Sequence, residues 1–259
     1  MATPYYDGIA KKWHGISGAQ GGAMKRFVLN DLVLSKIPGI AGAAILELGA
    51  GNGYFMPLVL RRFSGQVATR IIISDQSKVL LGIAQRKFKI RNAEYMVLDV
   101  RNAFPLPDAG IDLIVANMLF NEIPVPAMLR AFCECARVLA RGGRMVSTVV
   151  HPKFVDSLGR RGQLKPGEGG ILTMPGSKGL RLPVFPKAGE DYLEGFRRAG
   201  FQCSSEDVYP TREVLNAKPG LRQTGPIPLA SLFVSEKNKS EFPIELAQHE
   251  FQEPSVHRR

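Results

Sequence analysis

The chain has 259 residues, 45% of them hydrophobic, which is enough for one large domain with a packed core, alone or with additions. Its three cysteines, Cys133, Cys135 and Cys203, lack CxxC spacing, which argues against a disulfide framework and against a zinc site. The charge of +11, from 34 basic and 23 acidic residues, points to a nucleic-acid partner or an anionic substrate, or else to a solvated surface with no partner.

No stretch approaches the roughly 20 apolar residues of a membrane helix. The first ten residues contain Asp7 and no apolar run, so no secretory signal is expected. A cytoplasmic protein without membrane contact is the resulting expectation.

In chain order, residues 1–40 come before the first strand. Tyr5, Tyr6, Ile9, Trp13 and Ile16 predict a short amphipathic helix, and Gly15 to Gly22 a glycine-rich hinge. Met24 to Leu34, with Phe27, Val28 and Leu32 apolar, predicts a second helix. Ile45, Leu46 and Leu48 then read as a buried strand that runs into a glycine turn. Gly49, Gly51 and Gly53 alternate, and a helix-compatible stretch follows from Phe55 to Phe63. Glycine in such a turn lets the backbone bend tightly and lets a ligand approach, because no Cβ intervenes. A strand, a glycine loop and a helix begin the nucleotide-binding half of a doubly wound α/β sheet.

The glycine spacing separates two ligands. A dinucleotide fingerprint reads G-x-G-x-x-G. Here the third glycine comes one residue early, and Tyr54 stands where that fingerprint needs glycine. Glu47 lies two residues before the first glycine. The stretch E-L-G-A-G-N-G, Glu47 to Gly53, resembles motif I of the class I S-adenosylmethionine-dependent methyltransferases. YYDGIAKKW looks like the N-terminal element of the ubiquinone/menaquinone-type members, whose helical lid covers the ligand. The resemblance implies S-adenosylmethionine as cofactor and S-adenosylhomocysteine as product. It places Glu47, Gly49, Ala50, Gly51 and Gly53 at the cofactor, with Tyr6 and Trp13 over it. The plain alternative for the aromatics is packing of the lid onto the sheet.

Ile71 to Ser74 is the second strand, and Asp75 follows directly. It lies 24 residues after Gly51, close to the spacing at which a carboxylate accepts from ribose hydroxyls. Gln76 adjoins it, and Ser77 caps a helix running to about Lys87. Tyr95 to Leu98 is a third strand. In the family a carboxylate at this point receives the adenine amino group and the next amide meets the ring, roles that fall to Asp99 and Val100. An aspartate after a strand is otherwise a turn residue.

Ile111 to Asn117 is the fourth strand, and Asn117 should border the sulfonium because ligands sit at strand carboxyl ends. Pro124 and Pro126 start a helix, Met128 to Leu139. ARVLARGGRMVSTVV resembles the family's helix, turn and fifth strand, with Arg141 where proline is usual and with Gly142 and Gly143 keeping the turn. His151, just past the fifth strand, is the candidate general base, since imidazole titrates near neutrality; a lone histidine there also serves as a structural hydrogen-bonder.

Residues 153–190 show no clear periodicity and carry seven basic against three acidic side chains: Lys153, Arg160, Arg161, Lys165, Lys178, Arg181 and Lys187 against Asp156, Glu168 and Glu190. In small-molecule methyltransferases an insert here forms a lid over the acceptor, and a basic lid suits a carboxylate or phosphate. A solvated loop is the alternative. Tyr192 to Ala199 predicts a helix stopped by Gly200, Phe201 opens strand six, and Ile227 to Ser235 is strand seven.

The expected architecture is an α/β, Rossmann-like, seven-stranded mixed sheet of the class I methyltransferase fold, its last strand antiparallel. Residues 1–40 form a helical lid, 41–150 the cofactor-binding core, 151–190 an insert and 191–235 the last helix and strands. Residues 236–259 read as a flexible tail. The function the resemblance implies is methyl transfer to a small-molecule acceptor. An RNA or protein methyltransferase, a non-catalytic S-adenosylmethionine binder and a nicotinamide-dependent oxidoreductase are the alternatives. No metal is expected, since Asp112 falls within its strand and Glu122 has no companion carboxylate in the sequence.

Overall fold

A computed structural model describes residues 5–158, 169–173 and 179–238. Helix α1 (Tyr5–Ser17) buries Tyr6 and Ala10, one helical turn apart, and ends where Gly18 takes φ +57°. A π-turn over Lys25–Leu29 leads into α2 (Asn30–Lys36). β1 (Ala44–Leu48) is buried along its whole length, as a central parallel strand must be, and gives way through the glycine loop to α3 (Phe55–Arg62). β2 (Arg70–Asp75), α4 (Lys78–Phe88), β3 (Ala93–Val97) and β4 (Ile111–Asn117) follow. The Ser77 hydroxyl accepts from the Leu80 amide at 3.1 Å and caps α4.

α5 (Val125–Val138) starts after Pro124, and β5 (Leu139–Val150) continues directly from it. Leu139 pairs with Ile111, so the strand begins where the sequence suggested a helix end. Gly142, at φ +74°, sits in an irregularity of β5 where the register shifts, so Arg141–Gly143 is a kink within the ladder.

The described residues of the insert form regular elements that its sequence did not suggest. It contains α6 (Pro152–Leu158) and an antiparallel hairpin of β6 (Gly170–Thr173) and β7 (Arg181–Val184). Four-residue strands are too short to leave a readable alternation. Phe154, Leu172 and Val184 hold the insert together in their own apolar cluster. α7 (Gly189–Arg198), β8 (Phe201–Val208), α8 (Arg212–Ala217) and β9 (Ala230–Lys237) complete the chain. β9 starts three residues later than expected, because Ile227 folds its amide back to the Gly225 carbonyl (2.9 Å) before the ladder begins. It also runs on through Glu236 and Lys237, which were expected in the tail. The rest of the expected tail, from 239 onward, lies outside the described residues.

The main sheet has the order β3-β2-β1-β4-β5-β9-β8. β1 to β5 are parallel, and β9 is antiparallel to both of its neighbours. This is the seven-stranded mixed sheet expected from the sequence. Alternation along the strands sends Leu46, Ile114 and Met145 to the α5/α7 side, and Ile45, Val115 and Val146 to the α2/α3 side. Both faces are therefore covered, and the carboxyl ends of β1, β2 and β4 converge on one edge, with α1 above it.

Candidate active site

At that edge lies a cavity of about 920 Å³, floored by the glycine loop and the ends of β2, β3 and β4. Gly49, Ala50 and Gly51 line it. Gly49 and Gly51 hold φ +62° and +58°, a region that side chains rarely adopt. A Cβ there would also crowd its neighbours: one on Gly49 would meet Leu119 Cδ1 at 2.9 Å, and one on Gly51 would meet Trp13 Nε1 at 3.1 Å. The loop is fixed from below. Ala50 donates its amide to the Ser74 carbonyl (2.9 Å), and Gly51 donates to Asp75 Oδ2 (2.8 Å). Asp75 Oδ1 accepts from the Ser77 amide at 2.9 Å. Burial pushes the Asp75 carboxyl up, and the two amides pull it back toward its ordinary range.

Gln76, Asp99, Val100 and Asn117 also line the cavity. The Asp99 carboxylate is forked by Arg101, whose Nη2 lies at 2.6 Å, and that guanidinium holds its pKa down. Asn117 Oδ1 accepts from Thr148 Oγ1 at 3.2 Å.

Tyr6 and Trp13 of α1 line the cavity from the side opposite the glycine loop. The helix is tied down by contacts the sequence does not reveal. Tyr6 donates to Glu122 Oε1 at 2.6 Å. Asp7 accepts from the Ser77 hydroxyl, so the lid grips the loop after Asp75. Asn52 Nδ2 donates to the Gly18 carbonyl (2.8 Å) and meets His14 Nδ1 at 3.1 Å. Tyr5 and Lys12 reach the Arg181 and Gly179 carbonyls, at 2.9 and 3.0 Å, joining lid to hairpin.

Lys25 also enters the site unannounced by the sequence. Its Nζ lies 5.6 Å from the Trp13 ring centroid and 5.4 Å from that of Tyr54. Burial lowers its pKa to about 8, against the attraction of Glu122 and Glu47. Burial likewise raises Glu47 and Glu122 to about 8 each. Lys25 sits in a mainly apolar helical stretch, and a charge interrupting such a face is the one signal that could have flagged it. Glu122 has no comparable signal, because its partner Tyr6 lies 116 positions away.

Several expected residues fall elsewhere. Gly53 does not line the cavity; at φ +72° it faces α4, where an added Cβ would come within 2.5 Å of Ala84 Cβ. Its glycine lets the loop pack on a helix, not a ligand on the loop. Glu47 lies behind the lining, 3% exposed, with Oε2 unpartnered among the described residues. His151 does not line the cavity either. Its Nδ1 accepts from the Lys153 amide (3.0 Å), and its Nε2 faces Asp207 Oδ1 (3.1 Å), which places the proton on Nε2. Both ring nitrogens are engaged, and burial lowers its pKa. The geometry thus fits the structural alternative and not the general base.

Nor do the described basic side chains of the insert line the cavity. Lys153 and Arg181 are not in its lining, and buried Lys187 donates to the Phe185 carbonyl at 2.9 Å. Arg160, Arg161, Lys165 and Lys178 lie outside the described residues. Among the described residues no three His, Cys, Asp or Glu side chains gather as metal ligands.

A mixed α/β sheet whose glycine loop, second-strand carboxylate and fourth-strand end border one cavity defines a Rossmann-like binder of an adenosine-containing cofactor. Residues 45–143 match the methyltransferase domain family. Over that stretch the chain carries the methyltransferase domain of the class I S-adenosylmethionine-dependent enzymes, and S-adenosylmethionine is its cofactor. It is similar to a malonyl-[acyl-carrier protein] O-methyltransferase of Methylococcus capsulatus, 30% identical over 150 residues, or 55% of this chain and 53% of that protein. The chain thus spans about half the length of the curated relative it matches.

Among solved structures, an S-adenosylmethionine-dependent methyltransferase from Mesorhizobium loti superposes with a TM-score of 0.63 at 19% identity, covering 85% of this chain and all of that one. The [4+2]-cyclase SpnF superposes with a TM-score of 0.62 at 20% identity, over 91% of this chain and 94% of that one. The second likeness shows that the fold alone does not decide the reaction.

Proposed function

We propose that this protein transfers the methyl group of S-adenosylmethionine to a small-molecule acceptor bound under the α1 lid. The observation that carries the reading is the roofed cavity at the carboxyl ends of the strands. It runs from the glycine loop and Asp75 to Tyr6 and Glu122, roofed by α1, by Pro183 of β7 and by Phe185 just after it. A roofed cavity suits a small molecule better than a strand of nucleic acid, which needs an open groove.

The residues present fit the cofactor. Gly49, Ala50 and Gly51 form a cradle, crowded further by a Cβ at either glycine, suited to the amino-acid end. Asp75, already oriented by two amides, would accept from the ribose hydroxyls. Gln76 borders the same end. Asp99 and Val100 would meet the adenine, and Asn117 the sulfonium end. Glu47 would act from behind the loop, buried and without direct contact to the cavity. When bound, the cofactor supplies an electrophilic methyl on sulfur. The protein's share is then to position the two partners and exclude water, which α1 does by closing over them.

The Methylococcus capsulatus relative is named for methylating malonyl on an acyl carrier protein. Carried over, that gives a carboxylate acceptor presented at the cavity mouth, in keeping with an overall charge of +11. The test is calorimetric titration with S-adenosylmethionine, S-adenosylhomocysteine and NADH. Micromolar binding of the first two and none of the third is expected. Binding of NADH alone would overturn the reading.

A further inference from the structure

The wall shared by two cavities carries an ammonium that the cofactor contacts described above do not use. Lys25 lines both the main cavity and an adjoining chamber of about 150 Å³, as do Trp13, Met118 and Glu122. Its Nζ stands over the Trp13 and Tyr54 rings, 5.6 and 5.4 Å from their centroids. Ring faces attract a cation but offer no lone pair to its three N–H groups. Among the described residues Nζ has no hydrogen-bond acceptor and no carboxylate at ion-pair distance.

The nearby carboxyls do not neutralise it. Glu122 already accepts from Tyr6 at 2.6 Å, and burial keeps both Glu122 and Glu47 protonated up to about pH 8. Lys25 keeps its own proton to about the same pH. Near neutrality the shared wall is therefore positive, and Lys218 adds a second cation to the chamber lining. The other walls are apolar: Phe154, Leu182, Val184, Leu221 and Leu229 are all buried. A dry apolar cavity of roughly this volume holds one benzene molecule. An anion buried here without a partner would be costly, and so is an ammonium without one; together each satisfies the other with charge-assisted hydrogen bonds.

We propose that the methyl acceptor is a monocarboxylate bearing one apolar group no larger than a benzene ring, with that group in the chamber walled by Val184 and Leu229 and the carboxylate on Lys25. This rests on the methyl-transfer reading and narrows its acceptor class. Lys25 selects the charge of the acceptor, and Val184 and Leu221 limit its size.

The test uses the whole protein saturated with S-adenosylhomocysteine, titrated by ligand-observed NMR with benzoate, benzamide and acetate. Benzamide has the shape of benzoate without its charge, and acetate has the charge without the ring. Benzoate should bind at least tenfold more tightly than either. Lys25→Met should weaken benzoate at least tenfold and leave benzamide within threefold. Val184→Phe, which fills the chamber, should weaken benzoate at least tenfold while S-adenosylhomocysteine affinity stays within twofold. Leu221→Phe, on another wall, serves if that variant does not fold. Benzamide or acetate binding as tightly as benzoate, indifference of benzoate to either substitution, or binding of none of the three probes overturns the proposal and leaves the methyl-transfer reading standing. So does a Lys25→Met protein whose S-adenosylhomocysteine affinity falls as far as its benzoate affinity, because the ammonium would then be holding the cofactor's own carboxylate. Failure of S-adenosylhomocysteine to bind the native protein removes that reading, and the proposal with it.

Discussion

Replacing Asp75 with asparagine keeps the shape of the side chain and removes one acceptor. In the native protein the two carboxylate oxygens accept from Gly51 and Ser77 at 2.8 and 2.9 Å, and the residue is only 7% exposed. An amide has one acceptor oxygen, so in either flip its NH2 faces one of those backbone N–H groups. The variant loses one charge-assisted bond and strands a buried amide, each worth about 1–3 kcal/mol. A destabilisation of about 2–6 kcal/mol is expected against the 5–15 kcal/mol of a typical domain, so a folded but weakened variant is expected. If the ribose hydroxyls donate to the same carboxylate, losing that charge costs a further ~1.5–3 kcal/mol of binding, or about 10- to 150-fold in Kd. Chemical denaturation reads the first quantity, and calorimetry with S-adenosylhomocysteine the second. A variant with the native unfolding midpoint and a Kd within twofold would refute the arrangement.

Gly53→Ala should cost about 2–4 kcal/mol of stability, because the left-handed backbone and the contact with Ala84 are both violated. Gly51→Ala should cost less stability and more cofactor affinity, since its Cβ would press on Trp13 of the lid; equal affinity losses in the two would contradict their separate roles. His151→Ala should lower the thermal midpoint and leave S-adenosylhomocysteine affinity within twofold, whereas a tenfold loss of affinity would return the residue to the site.

The buried Glu47 and Glu122 hold protons up to about pH 8 in the folded state and release them near 4.3 when unfolded, so their contribution to stability falls as pH rises through that window. Lys25 loses its proton near 8 when folded and near 10.4 when unfolded, so its contribution recovers above 8. The unfolding midpoint, measured against that of Glu47→Gln, should therefore decline from pH 5 to 8; a flat difference would refute the burial of that charge.

The sequence by itself determined the parts of this protein that are local. Hydrophobic runs set β1, β2 and β4, the spacing of Gly49 and Gly51 set the loop, and Ser77 announced its helix, because each rests on neighbours within a few residues. The position of Asp75 relative to Gly51 was legible for the same reason: strand, loop and helix form one unit whose geometry the backbone fixes. Short strands such as β6 and β7 left no pattern, and α8 lies in a stretch that carried no expectation.

Only the tertiary structure decided which side chains meet across the edge of the sheet. Gly53 and Gly51 look alike in sequence, but the packing of α4 claims one and leaves the other to the cavity. His151 sits at the correct strand end, yet Asp207, 56 positions away, turns it from the site. Tyr6, Lys25 and Glu122 come together because α1 folds back over the carboxyl ends of the strands. Long-range pairing of charges depends on that closure, and nothing in the local sequence encodes the distance.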